Sequence, residues 1–211
     1  MKKIFMVLAA TFICGASVVI TSCGGNDDEI QEPKLTPNTY EVTLSAVLPE
    51  SAAEFFNLEL EYTDADGKKS TVTVKAGDQS ESMIEEMKSL FNEEKNFQIG
   101  LLKLTDEQAK VFDKLIIKNV KFNVPAGKSF SYKATTKVRS DYAQPAEDSF
   151  NYLSPFVYLS SKRISGESTD YSVFTEQLKL SVLIEMESAH LDELIEVYGN
   201  KVVANVSRTM L

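Results

Sequence analysis

Tryptophan is absent from the 211 residues, histidine occurs once and cysteine twice. Without an indole the strongest stacking surface for sugars and bases is missing, which leaves that role to eight tyrosines. His190 has no second imidazole to join it, and both cysteines, Cys14 and Cys23, lie near the N-terminus. A His-rich zinc centre and a Cys-His nucleophile pair are therefore excluded by inventory, and the chain beyond Cys23 has neither a disulfide nor a thiolate metal site. Basic side chains are also scarce: 22 Lys and Arg stand against 31 Asp and Glu, a net charge of −9. That balance repels phosphate backbones, so nucleic acid is not an expected partner. No glycine-rich phosphate loop occurs. Pro125-Ala126-Gly127-Lys128-Ser129 echoes the end of a nucleotide-binding loop, but it lacks the upstream glycine and sits between two strand-like runs. No cofactor is implied.

The one long apolar run is N-terminal. Lys2 and Lys3 precede an apolar stretch from Ile4 to Ile20 broken only by small residues such as Thr11, Gly15 and Ser17, the layout of a secretory signal. It falls short of the roughly 20 apolar residues that a membrane span needs; a single-pass anchor that stays in place is the alternative. Ile20-Thr21-Ser22-Cys23 follows, then the acidic run Gly24-Gly25-Asn26-Asp27-Asp28-Glu29. The first motif resembles the lipobox of bacterial lipoproteins, and the second is similar to the acidic export tag of surface-exposed lipoproteins in Bacteroidetes-type bacteria.

The resemblance implies removal of residues 1–22, acylation of Cys23 and a lipid anchor in the outer membrane with the folded part facing the cell exterior. A periplasmic face is the alternative, in which Asp27, Asp28 and Glu29 are only a solvated linker. Each buried methylene of an acyl chain is worth about 0.8 kcal/mol, and stable anchoring takes more than one chain. Cleavage removes two lysines and leaves 20 basic against 31 acidic side chains, a net of −11. Residues 23–36 are polar and without period, a tether whose end-to-end distance is roughly 20 Å. Residues 37–211 are expected to form a single β-rich domain, with an alternative boundary between Leu104 and Asp113.

Alternation of period two marks strands. It is seen in Tyr40 to Leu48, which predicts one buried face, in Leu58 to Tyr62, and in Thr71 to Val74. Asp66-Gly67 is a hairpin signal between the second and third of these. Met83, Ile84, Met87, Leu90 and Phe91 recur at helical spacing behind a candidate capping box, Ser82 with Glu85. Phe97, Ile99 and Leu101 predict a further strand, and Thr105 with Gln108 caps a short helix that turns Ala109, Phe112 and Leu115 inward. Ile116 to Val124 and Phe130 to Val138 alternate on either side of Pro125-Ala126-Gly127-Lys128 and predict a hairpin. Phe156 to Leu159 predicts a central strand, and Leu178 to Met186 a long one. Leu191, Leu194, Ile195 and Tyr198 predict a helix with Gly199 as its C-terminal cap, and Val202 to Val206 a last strand.

About nine strands and about three short helices predict a mainly β, antiparallel two-layer sandwich, immunoglobulin-like in style. An α+β arrangement with helices on one face of the sheet is the alternative. Ser140 to Asn151 has no period and is the longest expected loop, the kind of segment where binding residues concentrate. Within and beside it, Tyr142, Gln144, Glu147, Asp148 and Tyr152 combine aromatic faces with hydrogen-bonding groups and form the candidate ligand-contact set. The outward row Lys133, Lys137 and Arg139 is either an anion-binding stripe or the wet side of a sheet, and Asp64-Ala65-Asp66-Gly67 is either a turn or the start of a calcium loop.

A Ser-His-Asp triad has only His190 to draw on and no nucleophile elbow beside it. A carboxylate pair for glycoside hydrolysis is open in a chain this acidic. No catalytic or metal-binding residue is named by the sequence. The expected function is a non-enzymatic surface lipoprotein that binds a glycan, peptide or partner protein; the alternatives are a fimbrial-type or other assembly subunit and, third, a glycan hydrolase.

Overall fold

A computed structural model describes residues 36–96, 98–99, 102–103, 105–168, 175–176 and 183–211. The signal, Cys23 and the tether through residue 35 lie outside the described residues, as do Phe97, Leu101 and the expected strand positions Leu178 to Val182.

The chain runs β1 (Thr39–Pro49), α1 (Glu50–Ala53), β2 (Phe56–Thr63), β3 (Lys69–Val74), α2 (Glu85–Asn96), β4 (Gln98–Ile99), β5 (Leu102–Lys103), α3 (Asp106–Lys110), β6 (Leu115–Pro125), β7 (Ser129–Val138), β8 (Ser149–Leu153), β9 (Phe156–Ser165), β10 (Thr175–Glu176), β11 (Leu183–Glu187), α4 (Leu191–Tyr198) and β12 (Val202–Thr209). Two antiparallel four-stranded sheets, ordered β10-β9-β1-β6 and β12-β7-β2-β3, face one another, and β8 with β11 and β4 with β5 form two-stranded ribbons. The fold is the mainly β sandwich expected, with few and short helices. Its core joins Tyr40, Val42, Leu44, Ala46 and Leu48 of β1 to Phe56, Leu58 and Leu60 of β2 and Phe130, Tyr132 and Ala134 of β7. Burying each large side chain contributes roughly 1.5–3 kcal/mol.

Two expectations about these strands need correcting. The first is the hairpin across Pro125-Ala126-Gly127-Lys128. β6 pairs with β1 and β7 pairs with β2 and β12, so the turn carries the chain from one sheet to the other. Alternation reports only that each strand has one face inward, and that is satisfied equally by a hairpin and by an arch between layers. Phe122 and Phe130 meet across the layers with ring centroids 5.5 Å apart. Gly127 sits at φ 78°, where a side chain is disfavoured, and its N–H donates to the Met210 carbonyl at 2.7 Å.

The second is the single buried face of β1. Val47 belongs to a separate apolar cluster with Ile117, Phe156, Tyr158, Leu153 and Leu183, roofed by Met87 and Phe91 of α2 and by Phe112. Thr43 and Ser45 are also buried. One sheet is therefore covered on both sides, by its partner sheet and by a helical layer, which retains part of the α+β alternative inside a sandwich.

Local signals fared unevenly. Asp64 Oδ1 accepts from the N–H groups of Asp66 and Lys68 at 3.0 and 2.9 Å, and Gly67 adopts φ 79°, so the Asp64–Lys68 segment is a turn that uses that carboxylate internally. Thr105 and Gln108 form the reciprocal capping box, although Ala109 is not buried. Ser82 caps nothing: α2 starts at Glu85, and the preceding Ser80–Ser82 stretch instead lines the outer edge of β6, where Glu81 N–H donates to the Ile117 carbonyl at 2.9 Å and Asn119 N–H to Glu81 Oε2 at 2.9 Å. Lys118 closes the neighbouring gap by donating to the Thr73 carbonyl and pairing with Asp78 at 2.8 Å, which holds the Asp78 carboxyl below the usual carboxylate range.

Gly199 is the C-terminal cap of α4, as expected, at φ −74°, and the left-handed conformation falls to the next residue, Asn200, at φ 54°. Glycine is needed at 199 for clearance, because a Cβ there would lie 2.4 Å from the Ile195 carbonyl oxygen and 2.5 Å from Val138. Thr136 reaches the same corner from β7, its hydroxyl donating to the Tyr198 carbonyl at 2.6 Å and accepting from Lys201 N–H at 3.0 Å.

Candidate functional site

The strand directions fix two ends of the sandwich. The chain enters at Thr36 to Tyr40, where Ala126 N–H donates to the Asn38 carbonyl and Glu167 N–H to the Thr36 carbonyl. The β6–β7 arch and the C-terminal Met210 share this end. β7 then carries the chain over ten residues to the opposite end, roughly 33 Å away at the usual rise per residue. The segment from Arg139 to Asp148 begins there.

That segment is clamped at both of its own ends. Arg139 Nε and Nη2 each donate to the Asp141 carboxylate at 2.9 Å, a bidentate pair that keeps the Asp141 carboxyl below the usual range, while Nη1 donates to the Ala53 carbonyl at 2.7 Å and the backbone N–H to the Phe55 carbonyl. At the far end, Gln144 Nε2 donates to the Ser188 carbonyl, Ser188 Oγ to the Glu147 carbonyl, and Ser188 N–H to the Asp148 carbonyl at 2.8 Å. Ser188 opens the 3-10 turn Ser188–His190 that leads into α4. Tyr142 is 36% exposed, and the side chains of Gln144, Glu147 and Asp148 are also exposed.

The candidate set thus divides. Tyr142, Glu147 and Asp148 share one braced, exposed loop, and Gln144 lies on it with its amide nitrogen committed to Ser188. Tyr152 does not belong with them. The expected loop Ser140 to Asn151 ends earlier, because Ser149–Leu153 is β8, paired with β11. Tyr152 is fully buried, its ring 6.1 Å from Phe56 and 5.2 Å from Tyr198. Phe150 and Tyr152 alternate toward the core, a signal masked by the prolines at 145 and 155 on either side. The braces Arg139 and Ser188 were not found by sequence reasoning, which placed Arg139 only in the outward basic row.

The remaining candidates have structural uses. Lys137 pairs with Glu59 at 3.5 Å, Arg139 is held as described, and Lys133 lies opposite Glu61 in register, so acidic neighbours offset the basic row. His190 lies between Glu187, 3.5 Å from Nε2, and Glu193, 3.1 Å from Nδ1. Glu187, Asp192 and Glu193 add to the acidity of this end. Among the described residues no group of three His, Cys, Asp or Glu side chains converges to hold a metal ion, and no helix is long and apolar enough to cross a membrane. Chemically, the loop offers a phenol face for stacking and carboxylates that accept from hydroxyl or cationic donors. No protein-family model, curated protein or solved structure matches the chain.

Proposed function

We propose that this chain is a non-enzymatic lipoprotein, anchored to the outer membrane through acylated Cys23 and facing the cell exterior, whose Arg139–Asp148 loop binds a glycan, peptide or partner protein. The observation that carries the binding role is the brace. A loop pinned to α1 at one end and to Ser188 at the other pays little entropy on binding, because its backbone is already ordered, and it still exposes Tyr142, Glu147 and Asp148. Its position supports the anchoring role: the chain enters the sandwich at Thr36, so a tether from Cys23 meets the end farthest from the loop.

Glycan and peptide arrays probed with the mature protein test this reading. A ligand is expected to be bound by the unsubstituted protein and lost at least tenfold in Tyr142→Ala, with the thermal midpoint unchanged because the ring is at the surface. Binding that is indifferent to Tyr142→Ala and to Glu147→Gln with Asp148→Asn would move the site elsewhere.

A further inference from the structure

Three stretches of sheet edge in this molecule are treated differently. The outer edge of β6 is lined by Ser80–Ser82, and the facing edge of β3 gives its Thr73 carbonyl to Lys118. Among the described residues β12 has no such cover. It pairs with β7 on one side, and among the described residues no backbone partner lies on the other side of Val202 to Ser207. The strand reads Val-Val-Ala-Asn-Val-Ser-Arg-Thr, β-branched at four of eight positions and without an acidic residue in a chain of net charge −9. Val202 is 50% exposed, as is the nearby Val197 of α4 at 53%. An uncovered edge of this composition is a template for another strand.

We propose that the occupant is β12 of a second copy, paired antiparallel about a two-fold axis through Val206. Opposed residues in an antiparallel pair share a face, so this register sets Val206 against Val206, Asn205 against Ser207 and Ala204 against Arg208. The one charge on the strand meets an alanine, and no like charges oppose. The same surface patch serves both copies, as a two-fold interface requires, and the four-stranded sheet becomes one of eight, within the size open twisted sheets reach. The register break between Val202 and Ala204 marks the upper limit of the pairing. Copies of so acidic a chain repel one another over most of their surface; this edge is where an approach costs least. The inference does not depend on how the chain is anchored.

Sedimentation of the full chain in detergent tests it, beside Asn205→Glu with Ser207→Glu. In a single copy the first substitution faces Lys133 across the ladder and is tolerated. In the pair it sets carboxylates against each other on both sides of the axis. The unsubstituted chain is expected to sediment as a dimer, and the double variant to dissociate at least tenfold more readily with its circular dichroism unchanged. Val206→Cys, on the axis, is expected to form disulfide dimers faster than Thr71→Cys on β3, each compared with the unsubstituted chain carrying the same Cys14 and Cys23. A monomer for the unsubstituted chain, including one that dimerises only with a different protein, overturns the proposal. So does a dimer insensitive to the two glutamates, or equal cross-linking at 206 and 71.

Discussion

Replacing Tyr152 by alanine is expected to cost about 3–5 kcal/mol of unfolding free energy, the range for removing a buried aromatic ring, whereas Tyr152→Phe is expected to be neutral or to stabilise by about 1–3 kcal/mol. The asymmetry follows from where the atoms sit. The ring is buried against Phe56 and Tyr198 and links β8 to the core of the sandwich. The hydroxyl, equally buried, has no hydrogen-bond partner among the described residues. Folding therefore strips water from that oxygen without replacing it, and deleting the oxygen removes a penalty while the ring contacts stay. Urea unfolding of the two variants measures both effects. A loss above about 1 kcal/mol in Tyr152→Phe would show that the hydroxyl is satisfied and that this view of the core is wrong. Ligand binding by the Arg139–Asp148 loop is expected to survive Tyr152→Phe, which separates the core role from a contact role.

The same burial makes the fold sensitive to alkali. Burial pushes the Tyr152 phenol far above its ordinary value, with Tyr198 nearby adding to the shift, and pushes Tyr132 up to about 12 even though Arg208 draws it partly back. In the unfolded chain both titrate near 10. Above that pH the unfolded state has given up protons that the folded state still holds, so stability falls as pH rises. Below about pH 9 these two groups contribute no slope. By pH 12 each has cost about 2–3 kcal/mol, or about 5 kcal/mol together, comparable with the whole stability of many domains. Urea midpoints measured from pH 8 to pH 12 are expected to stay level and then fall steeply, and Tyr152→Phe is expected to reduce the fall, with Tyr132 and the part-buried Tyr198, whose phenol is also pushed up by burial, supplying the remainder. A midpoint that stays flat through pH 11.5 contradicts the burial of these phenols.

Elements governed by neighbours along the chain were legible in the sequence. The Asp64–Lys68 turn, the Thr105–Gln108 box and the apolar face of α4 all follow from residues within four positions of one another. Partnerships across the chain were not. The alternation in β6 and β7 is the same whether they pair with each other or with strands in different layers, and in the fold β1 and β2 occupy the edges that a hairpin would have joined. The second cover on β1 was illegible for a similar reason: Val47 reads as an outward position until Met87 and Phe91 of α2 are packed against its cluster. Tyr142, Glu147 and Asp148 lie exposed on a loop, as the missing period over this stretch predicted. Tyr152 was misplaced because a five-residue strand between two prolines gives too short a period to separate from a loop. The braces at Arg139 and Ser188 depend on groups 86 and 41 positions away in the chain, which no local pattern encodes.

The proposed setting turns on the chemistry of one sulfur atom. Intact-mass spectrometry of the protein extracted from its native membrane, with sequencing of its N-terminal peptide, tests that setting most directly. The expected result is a chain beginning at Cys23, without residues 1–22, whose mass exceeds that of the polypeptide by more than one acyl chain. A chain that still carries residues 1–22, or a Cys23 that reacts as a free thiol, would contradict the anchor and the outward presentation of the Arg139–Asp148 loop built upon it.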